Sequence, residues 1–471
     1  MAELRRWQLT SDGPSPASAT SASAASGSAT AGSDGQQDSG SIRDRLIAAI
    51  RMHREEFEAA GEQAEELRTL PPGTVETLRS MSVFWLKTPA ELGGTPLSPP
   101  DFSDVIEELA YADSSTAWAA MIGAGCAGLA SGWLPEPGVR RVFAAGRPLP
   151  VVAGQLQPRG TGQAVEGGYV VRGRWGFASG IMHADWLIGA FGPERGTIGS
   201  GVAGSGATGS GATGSGATGS GTTGSGATGS GTAGSGTTGP GSAAPAPGPG
   251  DERMVVFLLP REQAEVIDNW RVAGLQGTGS MGFRVDDVFV PADMTYNLGT
   301  AAVRGGALFR LGMPAFVSNE VPPLCIGMAR RALDEITGLA GRTARWPGGP
   351  TLADRAVFLK ELGRAEVRIK AARLVHRDAM QAAWNTAQQG KVPPPAEQTA
   401  VTVASVFAVE TCAEVISDLF RYGGGRVLSL ASPLQRYLRD ALAARQHVAV
   451  SEEFYETAGR ERVSAVKPPL L

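Results

Sequence analysis

The spacing of apolar residues changes period twice along this chain, and that double switch limits the folds open to it. From Ser41, a candidate N-cap, apolar residues recur at three- to four-residue steps through Ile42, Leu46, Ile50 and Phe57. Val75, Leu78 and Val83 continue the pattern after Pro71-Pro72. Such spacing lines one face of a helix. Between residues 149 and 297 it gives way to short runs with alternation, as in Tyr169, Val171, Trp175 and Phe177, punctuated by Gly and Pro. Those are strand signals. Helical spacing returns after Gly305, in long segments at 319–340, 352–389, 395–422 and 432–456 with Gly or Pro at each break. That is the pattern of an antiparallel bundle. We therefore expect a multidomain α+β protein: an N-terminal helical domain at 41–148, a β-barrel or sandwich at 149–300 and a C-terminal four-helix bundle at 301–471.

Two segments fit none of these patterns. Residues 1–40 are rich in Ser, Ala and Gly and too poor in large apolar groups to offset their ordering entropy, so they read as a disordered tail. Residues 195–250 interrupt the β region with repeated Gly-Ser-Gly-Ala/Thr units and a Pro-rich end. Nothing in the repeat is large enough to fill a solenoid core. It reads as a flexible insertion in a hairpin connection between strands at 186–191 and 254–259, tolerable because loop closure grows only logarithmically with length.

Composition narrows the partners. Lys and Arg total 42 against 46 Asp and Glu, which leaves no basic field for nucleic acid. We read no apolar run as long enough to span a membrane and no signal core, and expect a cytoplasmic protein. Cys126, Cys325 and Cys412 are odd in number, far apart and set among apolar neighbours, as buried small hydrophobes would be. The four histidines have no ligand spacing, so no metal is expected.

The chemistry concentrates in the run GGYVVRGRWGFASGIMHADW, residues 167–186. It reads as a turn at Gly167-Gly168, a strand, and a loop of small residues at Ala178-Ser179-Gly180. Such a loop lets backbone amides approach a flat ligand, with Trp175 and Phe177 as apolar walls. Further on, Gly274, Gly277, Gly279 and Ser280 make a loop between strands, assigned a turn role, and residues 285–291 read as an edge strand closed by proline. These stretches, with PAELGG (residues 89–94), the run ending in Asp113, Ser115 and Trp118, and VFVP (residues 288–291), resemble the acyl-CoA dehydrogenase superfamily. Within it, they are more similar to the flavin-dependent monooxygenases, the oxygenase components of two-component systems such as aromatic hydroxylases and dibenzothiophene monooxygenase.

The resemblance implies an enzyme that takes reduced FMN or FAD from a separate reductase. Through a C4a-hydroperoxyflavin, it would place oxygen on a small organic substrate, aromatic or polycyclic. It implies Ser179 as the contact to N5 or the peroxide, and His447 as hydrogen-bond partner of the peroxide or base toward a phenol. Gln155, Trp175, Phe177, Ala178, Ser179 and Gly180 would line the flavin. Arg342 is a candidate for the cofactor phosphate, and Arg421, Gly423, Gly424 and Gly425 would reach the flavin of a neighbouring subunit in a homotetramer. His183 and Trp118 are expected to be structural. Dehydrogenases of the superfamily carry a Glu about eight residues after an Arg-Asp pair, where this chain, after Arg439-Asp440, has Val448. A dehydrogenase or oxidase would need Glu320 or Glu452 as base. A third possibility is a non-catalytic binding member of the family. The chain departs from several family members after Trp118, where Cys126 alone stands in place of another polar catalytic group.

Overall fold

The computed structural model describes residues 34–193, 254–342 and 349–466. Helices come first: α1 (Asp34–Met52), α2 (Arg54–Leu67), α3 (Pro72–Ser80), α4 (Pro99–Ala112), α5 (Ser114–Trp133) and α6 (Glu136–Val142). The first begins inside the expected tail, so Ser41 is an interior residue and not a cap. Once a turn is nucleated, each added residue gains a hydrogen bond, which carries a helix into poor helix formers. The rest of the tail and the repeat at 195–250 lie outside the described residues.

Asp113, not Ser114 or Ser115, caps α5: its carboxylate accepts the Thr116 amide at 2.7 Å. A carboxylate suits the positive end of a helix better than a hydroxyl does. This leaves Ser114 free to bond elsewhere. Helix α5 is buried on nearly every side. Its glycines make that possible, because a Cβ at Gly125 would meet the Glu320 carboxylate and one at Gly132 the Phe309 ring.

The strands are β1 (Val152–Val165), β2 (Gly168–Trp175), β3 (Trp186–Pro193), β4 (Val255–Pro260), β5 (Glu265–Ile267), β6 (Gly282–Pro291) and β7 (Thr295–Tyr296). They form one seven-stranded sheet in the order β5-β6-β2-β1-β3-β4-β7, the β domain expected between the two helical regions. The sheet is mixed, because β1 and β3 run parallel. Strands β3 and β4 pair antiparallel up to Phe191 and Val255, so the repeat does interrupt a hairpin connection. Strand β5 covers β6 only at Gly282, Phe283 and Arg284, which leaves residues 285–291 as an edge. Trp175 closes the sheet core between Phe283, stacked at 5.2 Å, and Phe257, edge-on at 5.2 Å.

The C-terminal part holds α7 (Met313–Ser318), α8 (Val321–Ala340), α9 (Ala356–Gln388), α10 (Pro395–Phe420), α11 (Pro433–Ala444) and α12 (Glu453–Ser464). The last helix expected from the sequence is thus broken between Ala444 and Glu453. Helix α10 is long and apolar enough to cross a membrane by length and composition, contrary to the sequence reading, but most of its apolar residues are packed inside the bundle. The two helical regions are stitched by α4, whose buried Glu107 pairs with Arg330 and Arg373 while Glu108 pairs with Arg51 and Arg54.

Candidate functional site

After Trp175 the chain leaves the sheet in the loop 176–180. Phe177 takes a positive φ of 58° and points outward, 69% exposed, edge-on to Trp270. A positive φ at a bulky residue is costly and is held only by its surroundings. Here the hold is backbone bonding to the facing loop: the Ala178 amide donates to the Met281 carbonyl at 3.0 Å and the Gly180 amide to the Thr278 carbonyl at 2.9 Å. Gly180 itself has φ 78°. Ser179 then faces inward, 5% exposed.

The facing loop, 273–281, is pinned by the far end of the chain. Asp440 on α11 accepts the Leu275 amide at 2.5 Å and the Ser114 hydroxyl from the start of α5. Arg439 donates to the Ala273 carbonyl at 2.7 Å and to Glu65 at 2.8 Å. Desolvation pushes the Asp440 carboxyl up to about 6, against the two hydrogen bonds it accepts. A Cβ at Gly274 would collide with the Arg439 carbonyl oxygen.

Helix α11 ends at Ala444, and a turn carries His447 back over α5. Its Nδ1 accepts the Ala449 amide at 3.3 Å. The ring proton therefore sits on Nε2. Burial lowers this imidazole to about 4, so it is neutral at physiological pH. The ring lies 5.5 Å from Trp118 in a T-shaped contact. The indole Nε1–H of that same Trp118 donates to Ser179 Oγ at 2.9 Å. The residues expected to be catalytic, from opposite halves of the chain, thus meet on one tryptophan.

Other candidates fare differently. Trp175 is fully buried in the sheet core with its Nε1–H on the Ala190 carbonyl at 2.9 Å, so it cannot wall a ligand site. Alternation along β2 gave its face correctly but not what that face packs on. Phe177 and Ala178 flank Ser179 as expected. Gln155 is half-buried on β1, its carbonyl oxygen accepting the Gln157 amide at 2.7 Å. Arg342, Arg421, Gly423, Gly424 and Gly425 form a separate group on the bundle. There Arg421 pairs with Asp418 at 2.7 Å and Arg426 reaches the Arg342 carbonyl at 3.4 Å. His183 lies under Gly180 beside Phe84, its ring nitrogens unpartnered and burial holding it at about 4.

The bases required for dehydrogenation are not available. Glu320 is buried against Lys87 at 2.6 Å, and desolvation pushes its carboxyl up and that lysine down. Glu452 is exposed and paired with Arg445 at 2.9 Å. The Cys126 thiol is pushed up to about 12 by burial, which makes it inert. Sequence reasoning missed Trp118 as a linker and Thr278 and Ser280 as its extension. The Gly-rich run gave only a turn.

Comparison with known proteins agrees with this architecture. Residues 322–452 match the family model of the acyl-CoA dehydrogenase C-terminal domain. Over 83% of its length the chain is 26% identical to indole-3-acetate monooxygenase of Pseudomonas putida, covering 87% of that protein. It is 26% identical to the flavin-dependent monooxygenase oxygenase subunit HsaA of Mycobacterium tuberculosis, over 89% of this chain and 94% of that one. Its fold matches that of XiaF from Streptomyces sp., solved in complex with FADH2 and glycerol, with a TM-score of 0.75 at 22% identity, across 93% of this chain and 100% of the other.

Proposed function

We infer that this chain, an acyl-CoA dehydrogenase-like protein in its fold, is the oxygenase component of a two-component flavin-dependent monooxygenase. The observation that carries this reading is the convergence of Ser179 and His447 on Trp118, with Glu320 and Glu452, the two carboxylates a dehydrogenase reading would need, each held in an ion pair. Reduced flavin, delivered by a separate reductase, supplies the two electrons that let O2 give one oxygen atom to the substrate and the other to water.

The residues present suit such a cofactor. Ser179 Oγ keeps a lone pair after accepting from Trp118, the Ala178–Gly180 backbone is fixed, and the exposed Phe177 ring offers an apolar surface beside the loop. We assign Ser179 to the N5 edge of the flavin ring. His447, neutral with its proton on Nε2, donates a hydrogen bond to the oxygen being transferred. Its depressed pKa argues against the alternative of deprotonating a phenol. Gln155, Arg342, Arg421 and Gly423 to Gly425 are proposed for the flavin tail, the last group reaching a neighbouring copy. Val357, Val367 and Leu374 on α9, exposed in the single chain, support burial in a homotetramer. The three buried free cysteines support a cytoplasmic location. The substrate is proposed to be a small aromatic or polycyclic compound, and either FMN or FAD suits these residues.

The test is an anaerobic titration with reduced FMN and reduced FAD, followed by 18O2 and a panel of phenols and indoles. One labelled oxygen atom per product is expected. Failure to bind either reduced flavin, or oxidation of a CoA thioester without label uptake, would sink the reading. Light scattering of the purified protein checks the tetramer.

A further inference from the structure

Ser179 does not end its hydrogen bonding at Trp118. Its Oγ also lies 2.7 Å from Ser280 Oγ, which lies 2.7 Å from Thr278 Oγ1, and Thr278 Oγ1 lies 2.8 Å from the Leu275 carbonyl oxygen. All three hydroxyl residues are buried. Each hydroxyl has one proton to give, and a carbonyl has none. Thr278 must therefore donate to Leu275, Ser280 to Thr278 and Ser179 to Ser280. The indole N–H can only donate, so it fills one lone pair of Ser179. Reversing the chain would set the lone pairs of Thr278 against those of the Leu275 carbonyl, a buried polar contact with no proton in it.

The polarity of Ser179 is thus fixed from a distance. Its proton is committed inward, and what it offers the site is a lone pair. Resting on the assignment of Ser179 to the N5 edge above, the consequence is chemical. Reduced flavin carries a proton on N5 and donates there, whereas oxidised flavin has a bare N5 that accepts. A hydroxyl free to rotate would serve both.

We propose that the Thr278–Ser280–Ser179 hydroxyl chain makes this site select reduced over oxidised flavin, with Thr278 and Ser280 as positioning residues. An oxygenase that does not reduce its own flavin needs this preference. Each turnover leaves oxidised flavin in the site, and a new reduced molecule must displace it. The oxidised product meets lone pair against lone pair at Ser179 and leaves.

The experiment is an equilibrium measurement of dissociation constants for reduced and oxidised flavin in the wild type and in Thr278→Val, Ser280→Ala and Thr278→Ser. The wild type is expected to prefer the reduced form. Thr278→Val and Ser280→Ala free the Ser179 proton to turn outward, so the preference should shrink about tenfold, the worth of a hydrogen bond made or missed. Tighter oxidised binding should account for most of that change, and general damage to the fold would not produce it. Thr278→Ser, which keeps the donor, should retain the wild-type ratio. Variants that scale both affinities equally, or leave the ratio untouched while the wild type still binds reduced flavin, would overturn the inference alone. A wild type that binds neither form would overturn it together with the functional reading it rests on.

Discussion

At the scale of single residues, Trp118 is where the two proposed catalytic groups are held in register. Trp118→Phe keeps a ring near His447 but removes the N–H on Ser179 together with part of the buried indole. Stability should fall by about 2 kcal/mol or more, a lost hydrogen bond plus the cavity left behind. The larger effect should be on coupling: the fraction of consumed O2 recovered as hydrogen peroxide should rise several-fold. Unchanged coupling would remove Trp118 from the site. His447 makes a second prediction. Burial holds it at about 4, far below its ordinary 6.5. Coupling should therefore be flat from pH 5.5 to 8, and a step near 6.5 that vanishes in His447→Gln would contradict the neutral-donor role. The pairing of Ser179 with His447 was legible only through resemblance, since a turn serine and a late histidine carry no spacing signal. Trp118 was not legible at all. On a helix buried all round, an aromatic that bonds the site and one that merely packs look alike in sequence.

Among the elements, α11 acts on the site through the loop at 273–281. Gly274→Ala would press a methyl group into backbone, which cannot swing aside as a side chain can. The Asp440–Leu275 and Arg439–Ala273 bonds should stretch, with a loss of about 1–3 kcal/mol typical of overpacking and weaker binding of reduced flavin. Thermal melting and flavin titration check this together, and a wild-type profile in both would show that the clamp is slack. The sequence showed the loop and the Arg439-Asp440 pair separately, but not that one holds the other, because their partners lie some hundred and sixty residues apart. Nor did it show the break between α11 and α12. Apolar spacing runs on through Val448, Val450 and Phe454, although Val448 is exposed and His447 turns inward. Trp175 went astray because alternation says which residues share a face and nothing about whether that face meets a ligand or a second layer of side chains.

For the molecule as a whole, buried histidines contribute to its response to acid. His376 is almost fully buried, and that burial, with a smaller push from the Arg377 charge, lowers it to about 4. The unfolded chain protonates near 6.5, so stability is complete above that value and is lost as pH falls through 6.5 toward 4. The fully buried His376 contributes up to about 3 kcal/mol to this loss. His183 and His447 act in the same direction. Asp440, raised to about 6, acts oppositely, since its protonation favours the folded state. Glu107 and Glu320, whose carboxyls burial also pushes up, act with Asp440, so the imidazole contribution is read by difference: denaturant melts at pH 7.5 and 5 should differ less in His376→Leu than in the wild type. An equal drop would place the acid response elsewhere. The remaining feature is the hairpin connection between β3 and β4, where about 60 residues separate neighbours in one sheet. A chain that tolerates so long a detour between paired strands does not depend on the covalent link there to find its register. Cut within that connection, it becomes two polypeptides, and neither is whole: Trp175 belongs to the first, while Phe257 and Phe283, which enclose it, belong to the second. Produced together, the halves should recombine into an active enzyme, and produced apart each should aggregate. This would make the connection a natural point at which to place the protein's activity under the control of whatever brings the two halves together.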